Sequence, residues 1–187
     1  MVFFYIDDKR KLELIKYNKA FQDKLNINII HYKLFSKKYL IFETERKTRE
    51  YNKDNGYLIY EGEYLNGKRN GKGKEYDNYG RLIYEGEYLN GKRNGKGKEY
   101  DKYGKLIFEG EYLYNHRLKG KEYMKEILVY EGEYLYNKKW NGKGYDEKGN
   151  IIYELINGYG KGKVYNDQNE LIFEGEFRYG KELNGKI

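Results

Sequence analysis

A 24-residue unit occurs twice in succession almost letter for letter, and that periodicity constrains the fold more than any other feature of the chain. Residues 60–83 read YEGEYLNGKRNGKGKEYDNYGRLI and residues 84–107 read YEGEYLNGKRNGKGKEYDKYGKLI, differing only at Asn78 against Lys102 and Arg81 against Lys105. The aromatic-Glu-Gly-Glu-aromatic core returns at Phe108 to Tyr112, Tyr130 to Tyr134 and Phe173 to Phe177, and a degenerate copy starts at Tyr153 with Leu155 in place of the Gly. Self-similarity at a fixed period signals an array in which each unit packs on its neighbours. An enzyme needs one singular constellation, whereas this chain copies one surface several times, which favours binding over catalysis.

Within a unit the pattern reads as strand, turn, strand, turn. Tyr84, Gly86 and Tyr88 share one face of a strand with Leu82, and Glu85 and Glu87 take the other. Asn90-Gly91 and Asn94-Gly95 tolerate positive φ and signal a hairpin loop. Pairing residue i with 183 minus i sets Glu87 against Lys96, Glu85 against Lys98, Tyr88 beside Gly95 and Gly86 beside Gly97. That register gives an opposite-charge ladder on one face and glycines that leave room for rings on the other. The segments Asp77 to Gly80 and Asp101 to Gly104 read as turns into the next aromatic strand. The expected fold is mainly β: an elongated, twisted, antiparallel β-hairpin array over residues 49–187, in five to six units and about 50–60 Å long.

Residues 1–48 do not repeat and are expected to cap the array's first edge, or to form a small docking module of their own. Asp7 and Asp8 precede Leu14, Tyr17, Phe21 and Leu25 at helical spacing, which predicts a helix over about 9–24. A second short helix would carry Ile30, Leu34 and Phe35, and YLIFET at 39–44 reads as a strand. At the other end, FEGEFRYGKELNGKI lacks the Gly-x-Gly return strand. That predicts an open sheet edge and weak homodimerisation through residues 171–183.

Composition excludes several classes of function. The chain has no Cys, which rules out disulfides, Cys-ligated zinc and thiol catalysis. Its apolar content is 39%, dominated by 25 Tyr and 8 Phe, which suits a thin sheet with wet hydroxyls. The N-terminal apolar run is short for a signal peptide, and no stretch approaches a membrane span. A cytoplasmic location is expected. The net charge of +7 is uneven: residues 1–50 hold 12 Lys/Arg against 7 Asp/Glu, and residues 51–187 hold 25 against 23. The array is nearly neutral.

The ordered string YEGEYLNGKRNGKGKEY, with its N-G-K-x-x-G-x-G core and D-x-x-G turn, resembles the MORN repeat family over about residues 49–187. The match is to a short-period variant that is also similar to antitoxin-like MORN-type proteins. The resemblance implies an aromatic-sided hairpin array acting as a non-enzymatic scaffold. It also implies partners among proteins, phosphoinositide membranes, cytoskeletal assemblies or second copies of the chain. Departures fall in the later units: the third keeps only Gly120 of its Gly-x-Gly pair, the fifth loses its Glu-Gly, and Trp140 enters the fourth loop.

Two sets of candidate residues follow. The aromatic row Tyr60, Tyr64, Tyr84, Tyr88, Phe108, Tyr112, Tyr130, Tyr134, Phe173 and Phe177 would line a groove for a protein segment, or would be the sheet's own core. The loop pairs Lys68/Arg69 and Lys92/Arg93 would bind anionic lipid, being less cancelled than Lys72, Lys74, Lys96 and Lys98, which have glutamates close by. Nucleic-acid binding is not expected, since no RNA-module signature is present. His31 and His116 are too far apart in sequence to indicate a metal pair or a triad, and no metal, cofactor or catalytic residue is expected.

Overall fold

A computed structural model describes residues 38–42, 47–52, 54–166, 168 and 170–186. The helix expected at 9–24 and the shorter one after it lie outside the described residues. Everything described is strand, turn or short connection, in two compact units that meet in sequence at Lys92 and Arg93.

The first unit contains β1 (Lys38–Phe42), β2 (Lys47–Asn52), β3 (Leu58–Leu65), β4 (Lys68–Tyr76) and β5 (Leu82–Leu89). Sequence neighbours are sheet neighbours, and every pair is antiparallel. The second unit runs β6 (Lys92–Tyr100), β7 (Leu106–Leu113), β8 (His116–Met124), β9 (Ile127–Leu135), β10 (Lys138–Tyr145), β11 (Ile151–Ile156), β12 (Tyr159–Tyr165), β13 (Leu171–Arg178) and β14 (Lys181–Lys186). The same meander order holds throughout.

The register is clearest in the first copy. Glu61 faces Lys74 and Gly62 faces Gly73, as the charge pattern requires. Between Gly62 and Tyr64 it then slips by two residues, so that Tyr64 faces Arg69 and Leu65 faces Lys68. The expected partners, Tyr64 with Gly71 and Glu63 with Lys72, are therefore not opposite each other. The loop is also shorter than expected. Asn66-Gly67 alone closes it, with both residues at positive φ (48° and 73°) as a two-residue hairpin turn requires. Asn70-Gly71 is instead a bulge inside β4, with Gly71 at φ 94° and the Lys72 N–H donating to Glu63 Oε1 at 3.0 Å.

The bulge explains the shortened period. In the third copy Leu118 stands where Asn-Gly stood, and the slip falls between Glu111 and Tyr112 and is one residue smaller. The turn after it is Lys125-Glu126, closed by Met124 facing Ile127, in place of the Asp-x-x-Gly turn. One residue lost at each point takes 24 to 22. The longer turns are built on their first residue: Asp77 Oδ1 accepts from the Tyr79 and Arg81 N–H groups, and Asp101 and Asp146 do the same in their copies.

Both ends of the array differ from expectation. Lys47–Asn52 is a return strand: its Glu50-Tyr51 pairs with β3 as Glu75-Tyr76 pairs with β5, and Thr48 sits where later copies have Gly. The hairpin pattern thus begins before residue 49, and the predicted strand at 39–44 is β1. At the other end Lys181–Lys186 pairs with β13, with Gly185 opposite Gly175. A single Gly suffices there because it is the position the Phe173 ring overlies. Strand β13 is therefore paired on both sides, and the last strand in the described order is β14, so the edge expected at 171–183 lies at Lys181–Lys186.

Candidate functional site

The rings form a herringbone on one face. In the first unit Tyr60 meets Tyr64 and Tyr88 edge-on, with centroids 5.6 and 5.1 Å away, and Tyr84 meets Tyr88 at 5.5 Å. In the second, Phe108 meets Tyr112 and Tyr134, both at 5.5 Å, Tyr130 meets Tyr134 at 5.4 Å, and Phe173 meets Phe177 at 5.3 Å. Tyr60, Tyr84, Phe108 and Tyr130 are 0% exposed; Tyr64, Tyr88, Tyr112, Tyr134 and Phe177 are buried, and Phe173 is half-buried. In the degenerate copy, Tyr153 and Leu155 complete the row as buried residues.

A single layer buries Tyr60, Phe108 and Tyr130 by covering both sides of each ring. Beneath Tyr60 lie Gly62 and Gly73; a Cβ on Gly73 would overlap the ring. Above it lies the Arg69 guanidinium, 4.2 Å from the centroid. Phe108 is held the same way between Gly110, Gly120 and Arg117, also at 4.2 Å, and Lys139 covers Tyr130 at 4.9 Å.

Glutamates from the return strands hold the cations in place. Arg69 Nη2 lies 2.9 Å from Glu50 Oε2 and its Nη1 3.4 Å from Glu75 Oε1. Arg117 bridges Glu99 and Glu122, Lys139 lies 3.1 Å from Glu122, and Arg93 lies 3.3 Å from Glu99. Tyr88 donates to Glu75 and Tyr134 to Glu122. Burial lowers the pKa of Arg69 and Arg117, but the hydrogen bond and charge of Glu50 and of Glu99 outweigh it and raise both. Burial raises the Tyr60, Tyr134 and Tyr153 hydroxyls well above 10 and carries Tyr130 to about 12.

The basic pairs of the sequence analysis therefore separate. Arg69 and Arg93 turn onto the ring face and are tied to carboxylates; Lys68 and Lys92 remain exposed at the turns. The opposite face is the expected charge ladder, with Lys98–Glu109 at 3.9 Å, Lys121–Glu131 at 3.8 Å and Lys143–Glu154 at 3.0 Å. Tyr76 and Tyr123 add hydroxyl bonds to Glu61 and Glu109, both 2.7 Å.

At the hairpin tips sequence reasoning missed a second group. Tyr114, Tyr136 and Tyr179 occupy the first turn position, all at positive φ (49°, 49° and 52°), where the perfect copies have Asn66 and Asn90. His116 lies there too, Nδ1 3.0 Å from Asn137 Nδ2 and its ring edge-on to Tyr136. Trp140 stacks on Tyr179 at 6.3 Å. Successive turns are also tied by backbone bonds, such as the Gly91 N–H to the Arg69 carbonyl and the Asn115 N–H to the Arg93 carbonyl. Among the described residues no three His, Asp or Glu side chains gather as metal ligands, and no helix is long and apolar enough to cross a membrane.

Comparison with known families matches the MORN repeat at residues 60–81 and 84–102. Comparison with curated proteins finds no match. Among solved structures the chain is similar to TarM, at 13% identity over 95% of this chain with a TM-score of 0.30. It is also similar to a mutant of S. aureus TarM in complex with Fondaparinux, alpha-GlcNAc-glycerol and UDP, at 12% identity over 95% of this chain with a TM-score of 0.30. The chain spans 27% of the length of either, and at that TM-score the likeness carries no argument.

Proposed function

We propose that this chain, which carries MORN repeats at residues 60–81 and 84–102, is a non-enzymatic scaffold that holds a protein partner on a repeated sheet surface. The observation that carries this reading is the closure of the ring row. With glycine beneath and guanidinium above, the rings are consumed as core, and each copy presents outward the same charged ladder and a hairpin tip. A partner on the ring face would meet the Arg–Glu lid rather than a greasy groove. Periodic surfaces of this kind are what repeat proteins use for binding.

A membrane tether is the competing reading, and only Lys68 and Lys92 of its four candidate cations are disposed for it. In-cell crosslinking of the full chain, together with flotation on phosphoinositide vesicles at near-physiological salt, tests the two. Discrete protein adducts without flotation are expected. Flotation that is lost in the Lys68→Ala/Lys92→Ala double variant, with no adduct formed, would replace the scaffold by the tether.

A further inference from the structure

The perfect copies close their hairpins with Asn-Gly, which tolerates positive φ, whereas Tyr114, Tyr136 and Tyr179 hold an aromatic residue in the same conformation. A non-glycine residue there costs about 1–2 kcal/mol, and strain of this kind is kept where the displayed side chain has a use. Two of the three rings are displayed: Tyr136 is 73% exposed and Tyr114 52%. Leu113, Leu135 and Ile156, each one residue before a turn, are exposed beside them.

The charge of these tips is one-sided. Residues 113–118, 135–140, 156–159 and 178–181 contain five Lys/Arg and no Asp or Glu. Arg117 and Lys139 are spent in the lid over the rings, which leaves Lys138, Arg178 and Lys181 at the tips. The turns at the other strand ends, by contrast, carry Asp101, Glu126, Asp146, Glu147 and Glu170 among their lysines.

Two of the tip cations are laid on ring faces. Arg178 lies 5.3 Å from the centroids of both Tyr159 and Tyr179, and Lys138 lies 5.1 Å from that of Tyr179. A guanidinium held beside two rings in this way has its freedom reduced and can offer two parallel hydrogen bonds to a carboxylate.

We infer that the hairpin tips of the second unit, centred on Tyr114, His116, Tyr136, Lys138, Tyr159 and Arg178, dock an acidic protein segment. A carboxylate of that segment sits on Arg178, and its apolar side chains lie against the tyrosines. This rests on the scaffold reading and names the surface and the chemistry of the partner.

The test uses the full chain, immobilised, to select peptides from a random display library. Binding is then read by fluorescence of Trp140, the single tryptophan, which stacks on Tyr179. The expected result is enrichment of peptides with Asp or Glu next to an apolar residue, and a shift of Trp140 emission when they are titrated. Affinity should fall about tenfold, the weight of one charge-assisted hydrogen bond, in Arg178→Lys, which keeps the charge and loses the fork. Tyr136→Gly, which relieves the turn and cannot unfold it, should lose affinity as well, and Lys68→Ala/Lys92→Ala should not. The inference is overturned if selection yields no acidic peptides, or if the Arg178→Lys and Tyr136→Gly variants bind as well as the parent. It is equally overturned if Trp140 responds to anionic vesicles and not to peptides. Protein adducts in cells with Trp140 unmoved would leave the scaffold standing and remove its tip surface.

Discussion

The first copy and the two that directly follow residue 107 solve the same packing problem with different amounts of glycine. In residues 60–83 every special position has its expected residue: Asn66-Gly67 in the turn, Gly71 in the bulge, Gly62 and Gly73 under the ring, Gly80 closing the Asp turn. In the later copies the glycines under the rings persist, as Gly110, Gly120, Gly132 and Gly142, while the turns drift to Tyr114-Asn115, Lys125-Glu126 and Tyr136-Asn137. The difference ranks the constraints. Contact between ring and backbone is the tighter constraint in these copies, because a Cβ there would overlap ring or backbone atoms. A turn can carry a modest conformational cost, and residues useful for other reasons can settle in it.

The largest effect expected from breaking that pattern lies in the lid. Arg69→Ala breaks the 2.9 Å pair with Glu50, which is 3% exposed, a loss of about 3–5 kcal/mol for a broken buried pair. Arg117→Ala should cost less, because Glu99 keeps Arg93 and Glu122 keeps Lys139. Urea midpoints check this, with Lys68→Ala as the exposed neighbour expected within about 0.5 kcal/mol of the parent. Equal effects at Arg69 and Lys68 would mean that the guanidinium is not part of the core.

Next comes Gly73→Ala, which forces Tyr60 off its seat and should cost about 1–3 kcal/mol by overpacking. Gly80→Ala, where a Cβ meets open space but φ is 78°, should cost only about 1 kcal/mol for its conformation.

An alkaline titration separates the rings from the turns without mutation. Burial raises the Tyr130 hydroxyl from 10.0 to about 12, so the unfolded chain releases its proton first. Its contribution is fully present below pH 10 and is lost as pH rises toward 12. Tyr123, raised to about 12 by burial and by its bond to Glu109, follows the same window. Tyrosinate absorbance should therefore rise in two phases, the second accompanied by loss of the sheet's circular dichroism signal.

The smallest effect expected is a gain. Replacing Lys125-Glu126 with Asn-Gly restores a turn suited to φ 52° and 71° and should stabilise by about 1 kcal/mol. Thermal melts of the two chains measure it, and a loss would mean that those side chains contribute more than their strain.

Much of this was legible in the residues. Alternation of Tyr, Glu and Gly along the aromatic strands gave their two faces, and Glu61 with Lys74 gave part of the register. Arg69 and Arg93 read as loop residues only when both Asn-Gly pairs belong to one loop. Once Asn66-Gly67 closes the turn alone, Arg69 lies in β4 in step with Gly71, Gly73 and Glu75, and parity alone puts it on the ring face. The return strands at Lys47–Asn52 and Lys181–Lys186 carry a Thr or a lone Gly in place of Gly-x-Gly, so the repeat pattern does not mark them. The tip tyrosines could not be found by period, since they mark where the copies diverge.

The central claim is that the ring row is core and that the tyrosines available to a partner lie elsewhere. Nitration of the native chain with tetranitromethane, mapped by mass spectrometry, tests it directly. Tyr79, Tyr103 and Tyr136, each more than 70% exposed, should be modified first, and Tyr60, Tyr84 and Tyr130, at 0%, should stay unmodified until the chain unfolds. Nitration of Tyr60, Tyr84 and Tyr130 at the rate of the exposed three would show an open aromatic groove and contradict the account.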